Sequence, residues 1–400
     1  MRDLGEKWQR ELERWCAPYL DAFGHKVRRR WAPVYLRGLL LPGERKSIEP
    51  IAQRVAPGDN EQLHHFVAAS TWDTAPLEAV HADRCNELVG GPDAHLIVDD
   101  TALPKKGTQS VGVAPQYCGA LGKQANCQSL VSLTLARDEV PVPVALRLYL
   151  PESWTTDKKR RAKARVPDDI PFRPKWRIAL DEIDRLLEHK LQFADVLADA
   201  GYGSCGEFRA GLSERKLLWT VGVLSTQTAY SASVRMSPPK AKRASGRQPT
   251  RGTPSEASRS VAALIKQLGP GAIRTVTWRK GTKGPLSGRF AISRVRPADG
   301  PRKPPANVHL PGDEVWLVAE FRSDETKYYF SSLPASASLK KVVSTIKARW
   351  SCELAHQQMK EELGLDHFEG RSWHGLHHHA LLSMIAFAFL QHLRLRQKNG

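Results

Sequence analysis

Two short apolar runs in this chain each lead into an aspartate. Leu96, Ile97 and Val98 run into Asp99 and Asp100, with a turn expected at Pro104 and a basic pair, Lys105 and Lys106, just beyond. Residues 194–203 (ADVLADAGYG) repeat the pattern, ending on Asp199 and then on Gly201-Tyr202-Gly203, which permits a tight turn beside the carboxylate. A buried strand with a carboxylate at its tip holds a metal ligand rigidly. Hard oxygen donors of this kind suit Mg²⁺ or Mn²⁺. Two such ions about 4 Å apart can activate an attacking oxygen and stabilise the leaving one in phosphodiester chemistry. The chain has 42 acids, so the aspartates alone are explained as well by structural turns.

A third acid, Glu353, sits in a stretch with helical periodicity. With Glu353 at zero on a wheel of about 100° per residue, Arg349 falls at roughly −40°, Lys360 at −20°, Ile346 at +20° and Gln357 at +40°. One face thus presents a carboxylate flanked by two cations and an amide, which suits a phosphate beside a metal. The competing reading is an ion-pair stripe within the helix, since Arg349 and Glu353 are spaced i,i+4.

The elements that must position these groups follow from texture. Residues 1–92 read as a helical N-terminal domain, in which Asp59 and Gln62 stand at capping-box spacing ahead of a helix over 62–72. Residues 93–224 alternate strands and helices. Extended runs at 110–117, 128–136 and 140–150 suggest an antiparallel meander, the last an edge because of its prolines. A helix over 175–189, the strand ending at Asp199, a helix over 206–216 and a strand over 217–223 follow. Strand, strand, strand, helix, strand, helix, strand is an RNase H-like order, an α/β fold with a mixed sheet flanked by helices. Residues 225–325 read as a β-rich insertion with a basic, flexible segment at 231–251, and 326–400 as completion of the core by helices.

The chain carries 60 Lys and Arg against 42 Asp and Glu, a formal net charge of +18, which points to an anionic polymer or surface. Residues 26–37 (KVRRRWAPVYLR) interleave Arg28, Arg29 and Arg30 with Trp31 and Tyr35, a pattern suited to phosphate contact and partial stacking, or to a solvated amphipathic helix. Residues 155–165 form a dense cationic loop with Lys158, Lys159, Arg160 and Arg161. No apolar run reaches the roughly 18 residues a membrane span needs, and the charged N-terminus is no secretory signal. A soluble, cytoplasmic protein with packed free thiols is expected. His374, His377, His378 and His379 lack metal-site spacing and read as basic, DNA-facing histidines.

Arg349, then three residues, Glu353, then six residues and Lys360 resemble the R-E-K part of the YREK signature of bacterial insertion-sequence transposases. DDTALPKKG, QYCGALGKQANCQ, LYLPESW, LADAGYG and KEELGLDHFEGRSWHGLHHH are similar to one subgroup of that branch, the 701-type of the insertion sequence 4-like superfamily. The resemblance runs from about residue 30 to 395. It implies an RNase H-like core and a DDE triad of Asp99, Asp199 and Glu353 that holds Mg²⁺ or Mn²⁺, two ions in all. The implied activity is cut-and-paste transposition, in which a homodimer cleaves double-stranded element ends and joins them to target DNA, with no small-molecule substrate and no membrane. Arg349, Lys360, Lys105, Lys106 and the two basic clusters are the implied DNA contacts. A tryptophan of the insertion, Trp278 or Trp316, would hold a flipped base. The tyrosine of the signature falls on Ile346, which cannot hydrogen-bond a phosphate, so the hairpin intermediate is not implied with equal force. The alternative is a domesticated DNA-binding protein that keeps the fold without cutting; an RNase H-like nuclease that cuts without joining is a third reading.

Overall fold

The computed structural model describes residues 2–238, 252–281, 284–303 and 308–399. The chain divides into two compact units, Met1–Ala194 with Trp350–Gly400, and Asp195–Arg349. Most of the basic segment at 231–251 and the middle of the turn at 280–284 lie outside the described residues.

The first unit opens with the helices Arg2–Ala22, Lys26–Leu40, Ile48–Val55, Asn60–His64 and Ala75–Val89. Four strands follow: β1 (His95–Pro104), β2 (Ala114–Cys118), β3 (Lys123–Arg137) and β4 (Val140–Leu148). All three expected extended runs form, and the meander is antiparallel. The long β3 pairs with β1 along one edge, and with β2 and then β4 along the other. β4 pairs only with β3 among the described strands of this unit, the edge position that its prolines require. Leu96, Ile97 and Val98 are consecutive and fully buried, as in a strand covered on both faces. The helix Lys175–Glu188 packs on the neighbouring β3. Another core element is the C-terminal helix Trp373–Asn399, whose Leu376, Leu382, Ile385, Phe387 and Phe389 are buried. No described helix is long and apolar enough to cross a membrane.

Local expectations fail here for tertiary reasons. Asp59 takes the N-cap of Asn60–His64 without a side-chain cap bond, so the capping box is not made. That helix continues only as a π turn, His65–Ala69, and ends before Trp72. Trp72 instead stacks on His378 at 3.6 Å, and its Nε1 donates to the Phe66 carbonyl at 2.9 Å. Trp31 and Tyr35 are buried, with the Tyr35 hydroxyl on His379 Nδ1 at 2.8 Å, so neither can stack on a nucleic acid. Residues 158–163 form a short helix rather than a loop, because the Asp157 side chain accepts from the Arg160 N–H and caps it. The histidines are not all surface cations. His378 and His379 are fully buried among backbone carbonyls, and burial holds their basicity down, to about 4 in each case.

The second unit begins with β5 (Asp195–Ala198), pairs it in parallel with β6 (Leu218–Val223), and connects them through the helix Gly206–Glu214. The insertion adds antiparallel strands. The order runs Arg259–Ser260, Thr228–Ser231, Gly284–Pro297, Val315–Phe321, Thr326–Ser331, β6, β5, with Arg274–Gly281 on the long Gly284–Pro297 strand. The fold is therefore α/β and RNase H-like with a mixed sheet, although four strands rather than the expected three precede the helix Lys175–Glu188. The helix Leu339–Ala348 lays Val342, Val343 and Ile346 on Val276, Phe290 and Val318 of the insertion.

Candidate active site

Asp99 and Asp100 do not stand at a strand tip. β1 continues to Pro104 because β3 supplies a full ladder partner at every position, with Asp99 opposite Ser132 and Asp100 opposite Val131. Alternation sends the two carboxylates to opposite faces. Asp100 pairs with Lys175 Nζ at 2.5 Å and belongs to the packing of the helix Lys175–Glu188. The Asp99 carboxylate is half-buried, and both its oxygens are engaged: Oδ1 accepts the Asp100 N–H at 2.8 Å and Oδ2 accepts the Cys352 thiol at 3.2 Å.

That thiol brings in the helix Trp350–Glu361. Cys352 and His356, spaced i,i+4, share the buried face, and His356 Nε2 meets the Ser132 hydroxyl at 2.8 Å. Ser132 is the ladder partner of Asp99, so two successive turns of the helix are fastened to one rung of the sheet. Glu353, the next residue after Cys352, is exposed. The first unit therefore carries the Asp99 and Glu353 carboxylates on elements bolted to each other. The sequence reading passed over Cys352 and His356; their spacing beside Glu353 was the available signal.

In the second unit Asp199 follows β5 directly. Its Oδ1 accepts the N–H groups of Gly201 at 2.9 Å and Tyr202 at 3.2 Å, capping the turn Ala200–Gly203. The turn fits because a Cβ on Gly203 would come within 2.1 Å of the Gly222 carbonyl and 2.6 Å of Val221 Cβ. A Cβ on Gly222 would come within 2.8 Å of the Ala200 nitrogen. Two glycines thus let the turn lie against β6, and that fixes the Asp199 carboxylate.

A family model described as "DDE superfamily endonuclease" matches residues 18–285. The chain belongs to that family. The match encloses Asp99 and Asp199 and ends before Glu353. A probable transposase for insertion sequence element IS701 from Microchaete diplosiphon is 29% identical over 216 residues, which is 54% of this chain and 54% of that protein. The chain thus spans about half the length of the curated relative it matches.

The remaining predicted contacts fall into groups. The helix expected around Glu353 is interrupted at Arg349, which ends Leu339–Ala348, so Arg349 and Ile346 belong to the second unit. Ile346 is buried in the apolar cluster of that unit, where an isoleucine suits its neighbours and a phosphate contact has no place. Lys360 is half-buried, and burial lowers its basicity against the pull of Asp366. Lys105 is bound internally, donating to the carbonyls of Phe368 at 2.6 Å and Asp366 at 3.3 Å, while Lys106 is exposed. Arg161 donates to the Pro167 carbonyl, and Arg160 lies 3.8 Å from the Trp154 ring centre, but Lys158 and Lys159 are exposed. Arg29 and Arg30 are exposed and Arg28 half-buried. Trp278 is the extra residue of a bulge, since the register passes from Thr277 with Ser287 to Arg279 with Leu286. Trp316 is tied down, its Nε1 donating to the Pro334 carbonyl at 3.1 Å.

Among the described residues no group of three or more His, Cys, Asp or Glu is gathered closely enough to hold a metal ion. The donor chemistry of the acids is that of a hard divalent cation. Carboxylate oxygens each keep more than one acceptor position, and the Asp100 N–H and the Cys352 thiol on the Asp99 oxygens are uncharged donors.

Proposed function

We propose that the chain is a transposase that binds the ends of a mobile DNA element, cuts them and joins them to target DNA. The observation that carries this reading is the fastening of the Glu353 helix to Asp99 through Cys352 and Ser132, in a chain of the DDE endonuclease family. Asp99, Asp199 and Glu353 would hold Mg²⁺ or Mn²⁺, two ions together, and the bound metal supplies an activated water or 3′-hydroxyl and neutralises charge on the phosphate. The protein's own part is positioning. The Asp100 amide and the Cys352 thiol fix the Asp99 carboxylate, and the Gly201 and Tyr202 amides fix that of Asp199. Arg349 and Lys360 hold phosphate near the cut, while Lys106, Lys158, Lys159 and Arg28 to Arg30 bind the backbone farther out. Lys105, Arg160 and Arg161 shape the surface rather than lead the DNA contacts, since Lys105 Nζ and an Nη2 of each arginine donate to backbone carbonyls of the protein. Of the two tryptophans Trp278 is the better partner for a flipped base, because it is the extra residue of a backbone bulge and its ring makes an edge contact with Phe290 and a cation contact with Lys347, while the Trp316 N–H is bound to Pro334. Two ends must be processed together, so the working form is a homodimer on DNA, in the cytoplasm at the nucleoid. The intact acids argue against a domesticated, non-cleaving protein.

The test is cleavage of duplexes bearing the element's own ends in Mg²⁺ or Mn²⁺, with Glu353→Gln alongside. Wild type is expected to leave end-specific cuts with free 3′-hydroxyls, and the variant to bind the same DNA without cutting. Equal cleavage by both proteins removes Glu353 from the site, and tight binding without cutting by either supports the non-cleaving alternative.

A further inference from the structure

The motif QYCGALGKQANCQ has no part in the chemistry above, yet it builds a distinct object. β2 and β3 close a hairpin through the short turn Gly119–Leu121, with Gly122 at φ +62°, a left-handed conformation that favours glycine. The base of the hairpin is rigid. Gln116 Nε2 donates to the Cys127 carbonyl at 3.0 Å, and Asn126 Nδ2 clasps the carbonyls of Lys105 at 2.9 Å and Gly107 at 2.7 Å. Cys118 and Cys127 are fully buried beneath it. The tip is the reverse. Tyr117 is 69% exposed and Leu121 49% exposed, the two most open large hydrophobic side chains among the described residues of the first unit. Two exposed lysines lie on this structure: Lys123 is the ladder partner of Cys118 at the tip, and Lys106 follows Lys105, which is held on Asn126 at the base. Lys360, near enough to Cys118 and Cys127 to interact with them electrostatically, stands seven residues after Glu353 on one helix, about 10 Å along its axis. An aromatic and an aliphatic side chain at the tip of a rigid hairpin, with a lysine at the tip and another at the base, match the chemistry of an unstacked base step in DNA.

We propose that residues 117–123 form a wedge that enters the duplex beside the cut, Tyr117 stacking on an opened base, Leu121 filling the step, and Lys106 and Lys123 holding the flanking phosphates. This rests on the DNA-binding part of the function proposed above and not on cleavage. A hairpin so placed holds the strands apart where an end must be reached from the side.

The experiment uses full-length Glu353→Gln protein, which cannot cut, and a duplex carrying one unpaired 2-aminopurine, whose fluorescence falls when it stacks. The parent protein is expected to quench the probe and bind it more tightly than a fully paired duplex. Tyr117→Ala is expected to lose the quenching and bind the unpaired probe about tenfold more weakly, with Tyr117→Phe restoring both. Leu121→Ala should lower the preference for the unpaired duplex, and at so exposed a site neither substitution threatens folding. Unchanged quenching in Tyr117→Ala overturns the wedge alone. A Tyr117→Ala protein that binds DNA normally but loses self-association also overturns it, assigning the tip to a second copy of the chain. Failure of the parent protein to bind either duplex overturns the wedge together with the function it rests on.

Discussion

Arg147 lies between two acids in the first unit and offers the clearest energetic test of its packing. Its guanidinium donates through Nη1 and Nη2 to Glu78 and through Nε to Glu182, joining β4 to the helices Ala75–Val89 and Lys175–Glu188. Arg185 stands behind it, 2.9 Å from Glu182 and 3.8 Å from Glu78. Burial alone would raise the Glu78 carboxyl, but the hydrogen bonds and charge of Arg147, with Arg185 behind, outweigh it and hold Glu78 at about 2, against an ordinary 4.5. Glu78 keeps only 6% of its side-chain surface, so solvent screening is slight. At about 1.4 kcal/mol per unit, that displacement corresponds to roughly 3 kcal/mol of stability at neutral pH. Removing one partner of a buried pair costs about 3–5 kcal/mol in general. Arg185 remains, so Arg147→Ala is expected near the lower end, about 3 kcal/mol, in urea unfolding at pH 7. The sign with pH is specific. In the wild type a depressed carboxyl contributes stability that is complete above 4.5 and is lost as pH falls toward 2. In the variant, burial acts with less opposition and Glu78 prefers to be protonated, so acid relieves the strain. The difference between the two proteins should therefore narrow steadily as pH drops from 6 to 3. A cost below about 1 kcal/mol at pH 7, or one equal at pH 7 and pH 4, would refute the reasoning.

Three further outcomes are expected. Gly203→Ala forces a Cβ against the Gly222 carbonyl and Val221, and should destabilise the protein by about 1–3 kcal/mol or more in thermal unfolding; an unchanged midpoint would mean the turn can move. Lys106→Ala should weaken DNA binding and flatten the dependence of log affinity on log salt by about 0.9, whereas Lys105→Met should leave that slope alone and lower stability, by about 1–3 kcal/mol. His81 and His379 are fully buried and neutral, each facing a tyrosine hydroxyl and a backbone carbonyl, and burial holds each near 4 against an ordinary 6.5. Their contribution is complete above 6.5 and disappears as pH falls toward 4, so His81→Gln should soften the loss of stability measured across that interval.

What was legible in the sequence was what local pattern controls. The consecutive apolar residues before Asp99 and Asp199 announced buried strands, and prolines in residues 140–148 announced an edge. The amphipathic helix Lys175–Glu188 was read to within one residue. What failed was decided by partners distant in the chain. Trp31 and Tyr35 carry the same local pattern whether they face DNA or His379, and only the fold selects the second. The strand through Asp99 runs on past the aspartates because β3 is there to pair with it, which no window around Asp99 reveals. Ile346 stands where the signature has its tyrosine, and is a core residue of the second unit. The acids could be named from the resemblance, but the thiol on Asp99 could not, because it arrives from 253 residues away.

That separation matters during synthesis. A ribosome releases β1 well before the helix that fastens to Asp99. A nascent chain therefore holds Asp99 and its ladder partner Ser132 before Cys352 and His356 have been made to fasten them. Until then the Asp99 carboxylate lacks the thiol that holds its Oδ2, and its fixed setting is acquired only after the whole second unit, which lies between the two in the chain, has been synthesised.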